Sequence, residues 1–430
     1  MTSVALEQPT APAVRARYFV LAVLALAMGG FAIGTTEFVT MGLLPEIADG
    51  VGVSIPAAGH MISAYAVGVV VGAPVLAYFG ARYPRRGLLL VLVAWLGVGN
   101  AMSAVAGSFG LLTAARFFAG LPHGAYFGVA SLVAASLATP ERRGRAVSMV
   151  MLGLAIANIV GVPAATYLGQ HLGWRSAYWS VTGIVAVTML LILFFVPACP
   201  GDPAATGRRE LSAFLRPQVW LTLLVGAVGF GGMFAVYSYI APTITDVGGL
   251  ASSAVPWFLL VFGMGMTAGT FLGGHLADWS VFRSLLISAV ATGLLLLLFF
   301  FTAHLGWPSI LNLFAISVAS SVLVVNLQLR LMEVAGDAQT VGAAMNHASL
   351  NLANALGAWL GGLVIAAGFG FAAPALVGAG LSALGIGVLL VSARMHVRTT
   401  AAEPGMGFGT PPFLRFAVSC RGIVIQRGQQ

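Results

Sequence analysis

Two charged side chains stand inside otherwise apolar stretches of this 430-residue chain, and they are the residues best placed to do chemistry. Glu37 interrupts the first apolar run, and Arg116 is the only arginine well inside any of them. An ionised carboxylate in hydrocarbon is expensive, so Glu37 must face a partner or a water-filled space. Burial and a neighbouring cation act on a carboxyl's proton affinity in opposite senses. That balance would let Glu37 load and release a proton. The alternative is a static ion pair that orients the two segments carrying Glu37 and Arg116. His123 follows Arg116 by seven residues, so the two share a helix face. It is a candidate proton carrier and ligand contact, or a polar group satisfied by its neighbours.

A second polar set lies late in the chain. His347, Asn351 and Asn354 recur at i, i+4 and i+7, one stripe of a helix, with Asn346 beside it and Asn326 and Gln328 further upstream. Such a stripe should face a cavity or another helix rather than lipid. Amide groups of this kind either bind hydroxyl-bearing ligands or bond between helices. Met41, Tyr65, Met233, Phe234 and Tyr237 are the candidates for a broad apolar pocket. No Cys/His group has metal-ligand spacing, and there is no phosphate-binding loop or nucleophile–base pair. Neither a cofactor nor an enzymatic activity is therefore expected.

The elements that must position these residues follow from composition. Only 7% of residues are charged, against roughly 25% in a soluble globular protein. Hydrophobic residues make up 59%, and 55 glycines come on top of them. This excludes a soluble enzyme, a disordered chain and a disulfide scaffold, and it leaves a polytopic all-α membrane protein. The 20 basic residues are all Arg, clustered between apolar runs, so the net charge of +8 reflects loops rather than nucleic-acid binding.

Twelve runs are long enough to span a bilayer: 18–43, 58–80, 87–106, 109–138, 146–169, 175–196, 218–241, 254–277, 284–303, 308–332, 341–367 and 371–393. The arginines 15, 17, 82, 85, 86, 142, 143, 145, 208, 209, 216, 283, 330, 394 and 398 all fall on one side. That predicts cytoplasmic termini. Spans 1 and 4 run in opposite senses, and Glu37 and Arg116 both fall roughly 9–10 Å from the outer helix ends at 1.5 Å per residue. The polar stretch 197–217 separates two six-helix bundles, 18–196 and 218–393, between a 1–17 tail and a disordered 394–430 tail. Cys199 and Cys420 sit in polar cytoplasmic segments with no structural task. Gly68-xxx-Gly72 in span 2 and Gly269-xxx-Gly273 in span 8 stand at corresponding places and identical distances from Arg82 and Arg283, the echo of an internal repeat.

Four stretches carry a family resemblance over about residues 18–393. They are Gly34-Thr-Thr-Glu37 to Pro45, Arg116-xxx-Gly120, Gly153 with Gly161-Val-Pro163, and Gly274-His-Leu-Ala-Asp278. Through them the chain resembles the major facilitator superfamily, in particular its twelve-helix drug:proton antiporters of the arabinose-type and sugar-efflux branch. The first copy of the signature loop keeps Arg82, Arg85 and Arg86 but has no acidic residue, since none occurs between Asp49 and Glu141. The resemblance implies gating roles for those arginines, Gly120, Gly153, Gly161, Pro163, Gly273, Gly274, Asp278 and Arg283. It also implies proton coupling through an acidic residue at the position of Glu37. The expected activity is efflux of small lipophilic or cationic compounds, driven by the proton gradient, by a functional monomer in the cell membrane. A more selective exporter of sugars or nucleoside-like metabolites is the alternative.

Overall fold

In the computed structural model, residues 11–80, 83–139, 142–198, 216–335 and 339–402 are described. Arg82, Arg208, Arg209, both cysteines and the stretch 403–430 lie outside them. The described residues are helical, with no strand. In chain order the helices are α1 (Ala11–Gly42), α2 (Leu44–Val51), α3 (Ile55–Gly80), α4 (Arg85–Val105), α5 (Phe109–Leu137), α6 (Arg143–Ile156), α7 (Val162–Leu172) and α8 (Arg175–Phe195). They continue with α9 (Pro217–Leu224), α10 (Gly231–Tyr237), α11 (Ile240–Pro242), α12 (Val255–Thr302), α13 (Ser309–Ala335), α14 (Gln339–Val364) and α15 (Pro374–Ala402). Beyond Leu389 the chain is a separate unit, seen only as the continuation of α15.

Eleven helical segments are long and apolar enough to cross a membrane, and one of them, Ser252–Leu305, has 54 residues. That one is two spans. Ser280 is extended (φ −174°, ψ 115°) and breaks α12. Its hydroxyl accepts from the Arg283 N–H at 3.3 Å, the bond of an N-cap, so a new helix starts there. The Ser284 hydroxyl donates to the Leu276 carbonyl at 2.7 Å across the bend. The twelve spans expected from sequence are thus present, with ends within a few residues. The short helix α2 was not expected.

Small residues set the packing. A Cβ at Gly72 would run into the Leu121 carbonyl, and one at Gly269 into the Val318 carbonyl. The two glycine pairs therefore press α3 onto α5 and the first part of α12 onto α13, the same pairing of spans (2 with 4, 8 with 10) in each half. Span 5 does not run as one α-helix. α6 passes through a π turn at Ala157–Gly161 into α7, where Pro163 occupies the first turn. Proline lacks an N–H, and the wide turn absorbs that missing donor.

Candidate functional site

Glu37 sits five residues before the end of α1 and is 6% exposed. Arg116 on α5 is fully buried at the same level. The guanidinium does not pair with the carboxylate: among the described residues the only ion pair within 4 Å is Arg330–Glu333, at 2.9 Å. Arg116 is held instead by the residue next to Glu37. Its Nη1 donates to the Thr36 hydroxyl and its Nη2 to the Thr36 carbonyl, both at 2.9 Å. Its charge lies over the rings of Tyr65 (4.4 Å) and Tyr178 (5.3 Å), and its Nε has no partner among the described residues. Thr36 Oγ1 in turn donates to Asn100 Oδ1 at 2.5 Å, and Thr40 shares a 2.9 Å hydrogen bond with the Tyr178 hydroxyl. Helices α1, α4, α5 and α8 are thereby tied around one buried cation. The static Glu37–Arg116 pair is not the arrangement present, because Thr36 takes the guanidinium's donors.

Glu37 faces the other half of the molecule. Arg116, Tyr65 and Tyr237 act on it through space, and the side-chain amide of Asn354 from α14 reaches toward it. Asn354 is fully buried, and among the described residues neither of its amide atoms has a hydrogen bond of normal geometry. One turn away, Asn351 Nδ2 donates to the His347 carbonyl at 3.0 Å while its Oδ1 has no partner. His347 stacks on Phe127 with ring centres 5.6 Å apart. His123 hydrogen-bonds the Tyr65 hydroxyl through Nδ1 at 3.1 Å and lies 5.5 Å from the Phe127 ring. The stripe His347–Asn351–Asn354 therefore faces the residues of the first half that sequence had singled out.

The apolar candidates close the other side. Phe38 stacks on Phe234 (6.4 Å) and meets Tyr237 edge-on (5.8 Å), and Tyr237 stacks on Phe262 (4.1 Å). Met41 and Met233 are buried in the same core. Rings from the two halves fill the space between them in this conformation.

Other candidates lie elsewhere. Asn326 bonds the Gly273 carbonyl (3.2 Å) and the Val322 carbonyl (2.9 Å), so it fastens α13 to α12. Gln328 is half-buried on the same helix. A Cβ at Gly120 would strike the Tyr65 carbonyl, one at Gly153 the Ala27 carbonyl and one at Gly161 the Thr35 hydroxyl. Gly274 is open, Asp278 is exposed with no ion pair among the described residues, and Arg283 lies over Trp279 at 5.4 Å. Arg86 donates to the Leu193 carbonyl, and Arg85 is half-buried. Pro163 lines a groove of about 290 Å³ between α7 and α12.

The halves meet at the end opposite the arginine clusters. Ser63 of α3 donates to the Ala355 carbonyl of α14 at 3.0 Å, and Gln170 of α7 donates to the Ser252 carbonyl at 3.0 Å. Thr36 stood in the sequence only as part of the Gly34–Pro45 stretch, and Asn100, Tyr178 and Gln170 carried no signal at all, since threonines, amides and tyrosines occur in spans without any special task. Only the charge of Arg116 shows that donors of this kind need acceptors nearby.

A polytopic helical bundle with polar groups buried between two halves defines a membrane transporter. The chain matches the Major Facilitator Superfamily over residues 26–347, and it belongs to that family, whose members are transporters rather than enzymes. It is 40% identical over 376 residues to the inner membrane transport protein YdhP of Escherichia coli (strain K12), covering 87% of this chain and 97% of that one. It is 34% identical over 347 residues to a chloramphenicol resistance protein of Streptomyces lividans, covering 77% and 86%. The crystal structure of a D-xylose-proton symporter superposes with a TM-score of 0.67 at 17% identity, covering 86% of this chain and 97% of that one.

Proposed function

We propose that this protein is a secondary active exporter that exchanges protons for small, mainly lipophilic or cationic compounds. The observation that carries the reading is that Thr36, not Glu37, holds Arg116. The Glu37 carboxyl is left without a fixed counter-ion, buried, and aimed at the opposite half. Its charge is then free to change with what occupies the site. Ionised Glu37 attracts a cationic or donor-bearing compound among the rings of Phe38, Phe234, Tyr237 and Phe262. A proton arriving from outside discharges that attraction and promotes release. Loss of the proton inside resets the carrier, and the two six-helix bundles rock about the site between these states. The proton gradient supplies the energy. The arginine asymmetry supports an arginine-rich end and both termini on the cytoplasmic side. A relative named for chloramphenicol resistance supports a drug-like substrate range.

The unpaired amide atoms of Asn351 and Asn354 favour a second reading, a selective exporter of hydroxyl-bearing molecules such as sugars or nucleosides. Counterflow in proteoliposomes separates the two when chloramphenicol, an organic cation and a sugar are compared. The coupling is tested with Glu37→Gln, which keeps shape and hydrogen bonding but not charge. Efflux driven by a pH gradient should be lost while the protein still folds, and normal coupling would remove Glu37 as the proton carrier.

A further inference from the structure

The short helix α2 carries a second carboxyl, Glu46, at the closed end of the molecule and outside the spans. Leu44, Ile47 and Ala48 bury one face of α2, and its neighbours come from both halves, α1 and α3 from the first and α11 from the second. Glu46 meets the side chain of Gln170, near the end of α7. Gln170 already spans the halves, because its Nε2 donates to the Ser252 carbonyl at 3.0 Å. Two oxygens remain: among the described residues, Glu46 Oε2 and Gln170 Oε1 are both buried without a hydrogen-bond partner.

We infer that Glu46 is a second proton-binding site, and that a proton held there latches the two halves together through Gln170. A protonated Glu46 donates its O–H to Gln170 Oε1. Both stranded oxygens are then satisfied, and Gln170 Nε2 stays on the Ser252 carbonyl. An ionised Glu46 has no proton to give. It leaves Gln170 Oε1 unpaired, which is unfavourable for a buried polar group.

Burial and the nearby Asp49 run the same way. Burial pushes the Glu46 carboxyl above its usual range, and Asp49 adds to the push. Hydrogen bonds from its own N–H and from Gln170 act against it. Glu37 of α1, His60 of α3, His171 of α7, Arg175 of α8 and Asp246 after α11 are the other charged or titratable groups on surrounding elements. None makes a hydrogen bond or ion pair with Glu46. Opening this end would bring Glu46 into water and return the carboxyl to its ordinary range. The closed state therefore binds the proton more tightly than the open one. By linkage, its advantage is full at low pH and fades as pH rises through the raised value. The latch needs alternating access but not a titrating Glu37.

The test measures closure directly. Spin labels at Leu172→Cys and Leu305→Cys, exposed at this end on different halves, report the distance across it. Cys199 and Cys420 are first replaced by Ser, and the full-length protein is placed in nanodiscs. Distances are compared at about pH 5 and about pH 8, the upper value lying well above the ordinary carboxyl range. Each unit of difference in proton affinity between the states changes their ratio about tenfold, so a shift of at least ~3-fold from short to long distances is expected. Glu46→Gln mimics the protonated acid and should keep the short distance at both values. Gln170→Leu should lose it at both. Running the series in the Glu37→Gln protein separates the two carboxyls, and the pH response should persist there. A response that survives Glu46→Gln, or that disappears with Glu37→Gln alone, overturns the latch. No response in the unmodified protein overturns it as well.

Discussion

Replacing Arg116 by Ala examines the buried cation directly. The substitution removes two hydrogen bonds from a charged donor to Thr36, each contributing about 1.5–3 kcal/mol. It also removes a desolvated contact with the Tyr65 ring, worth about 2 kcal/mol. Against these stands the release of a cation whose burial costs several kcal/mol. The net loss should be about 2–4 kcal/mol, measured by equilibrium unfolding of the purified protein in mixed micelles. A double-mutant cycle then shows which residue Arg116 leans on. Thr36→Val deletes the hydroxyl bound to Nη1 and should couple to Arg116→Ala by about 1.5 kcal/mol, one charge-assisted bond. Glu37→Gln should couple less, because the carboxylate lies outside ion-pairing distance. A larger coupling to Glu37 than to Thr36, or an Arg116→Ala protein as stable as the parent, would refute the assignment.

Other changes should behave as follows. Tyr65→Phe keeps the ring beneath Arg116 but loses the hydroxyl at His123, costing about 1 kcal/mol in the same unfolding assay. Asn351→Leu and Asn354→Leu should change substrate preference or affinity in counterflow while membrane insertion continues. If both leave every ligand unaffected, the amides serve packing alone. Gly72→Leu places a side chain against the Leu121 backbone and should cost more than about 3 kcal/mol or prevent folding, visible as loss of monodisperse protein. Single cysteines should be labelled from the cytoplasm at position 143 and from outside at position 246, and the reverse pattern would invert the proposed topology.

Glu37 was legible in the sequence because a charge in an apolar run has few structural uses. The stripe of α14 was legible because its spacing repeats with the helix. The glycine pairs were visible for the same reason, and the structure gives them the close approach their spacing requires. The partnership of Arg116 was not legible. Depth placed it beside Glu37, but the choice between a carboxylate and the neighbouring threonine depends on rotamer and on Asn100 and Tyr178, which arrive from α4 and α8. Such long-range contacts leave no local pattern. Asn326 stood open between ligand contact and a bond between helices, and the structure gives it the bond to the Gly273 carbonyl; periodicity shows that a residue is polar and inward, not which helix it fastens. The latch residues Glu46 and Gln170 stand on different helices, so neither attracts notice alone.

The one-residue break at Ser280 bears on how the chain enters its membrane. The last turn of span 8 and the first turn of span 9 are separated by a single extended residue, and the Ser284–Leu276 bond closes the bend. Only a few residues at the bend could wait outside while one span settles. The expected outcome is that these two spans enter the membrane as a hairpin, with their apolar surfaces reaching lipid together. Lengthening that bend should let span 8 insert alone, turning a concerted step of biogenesis into two.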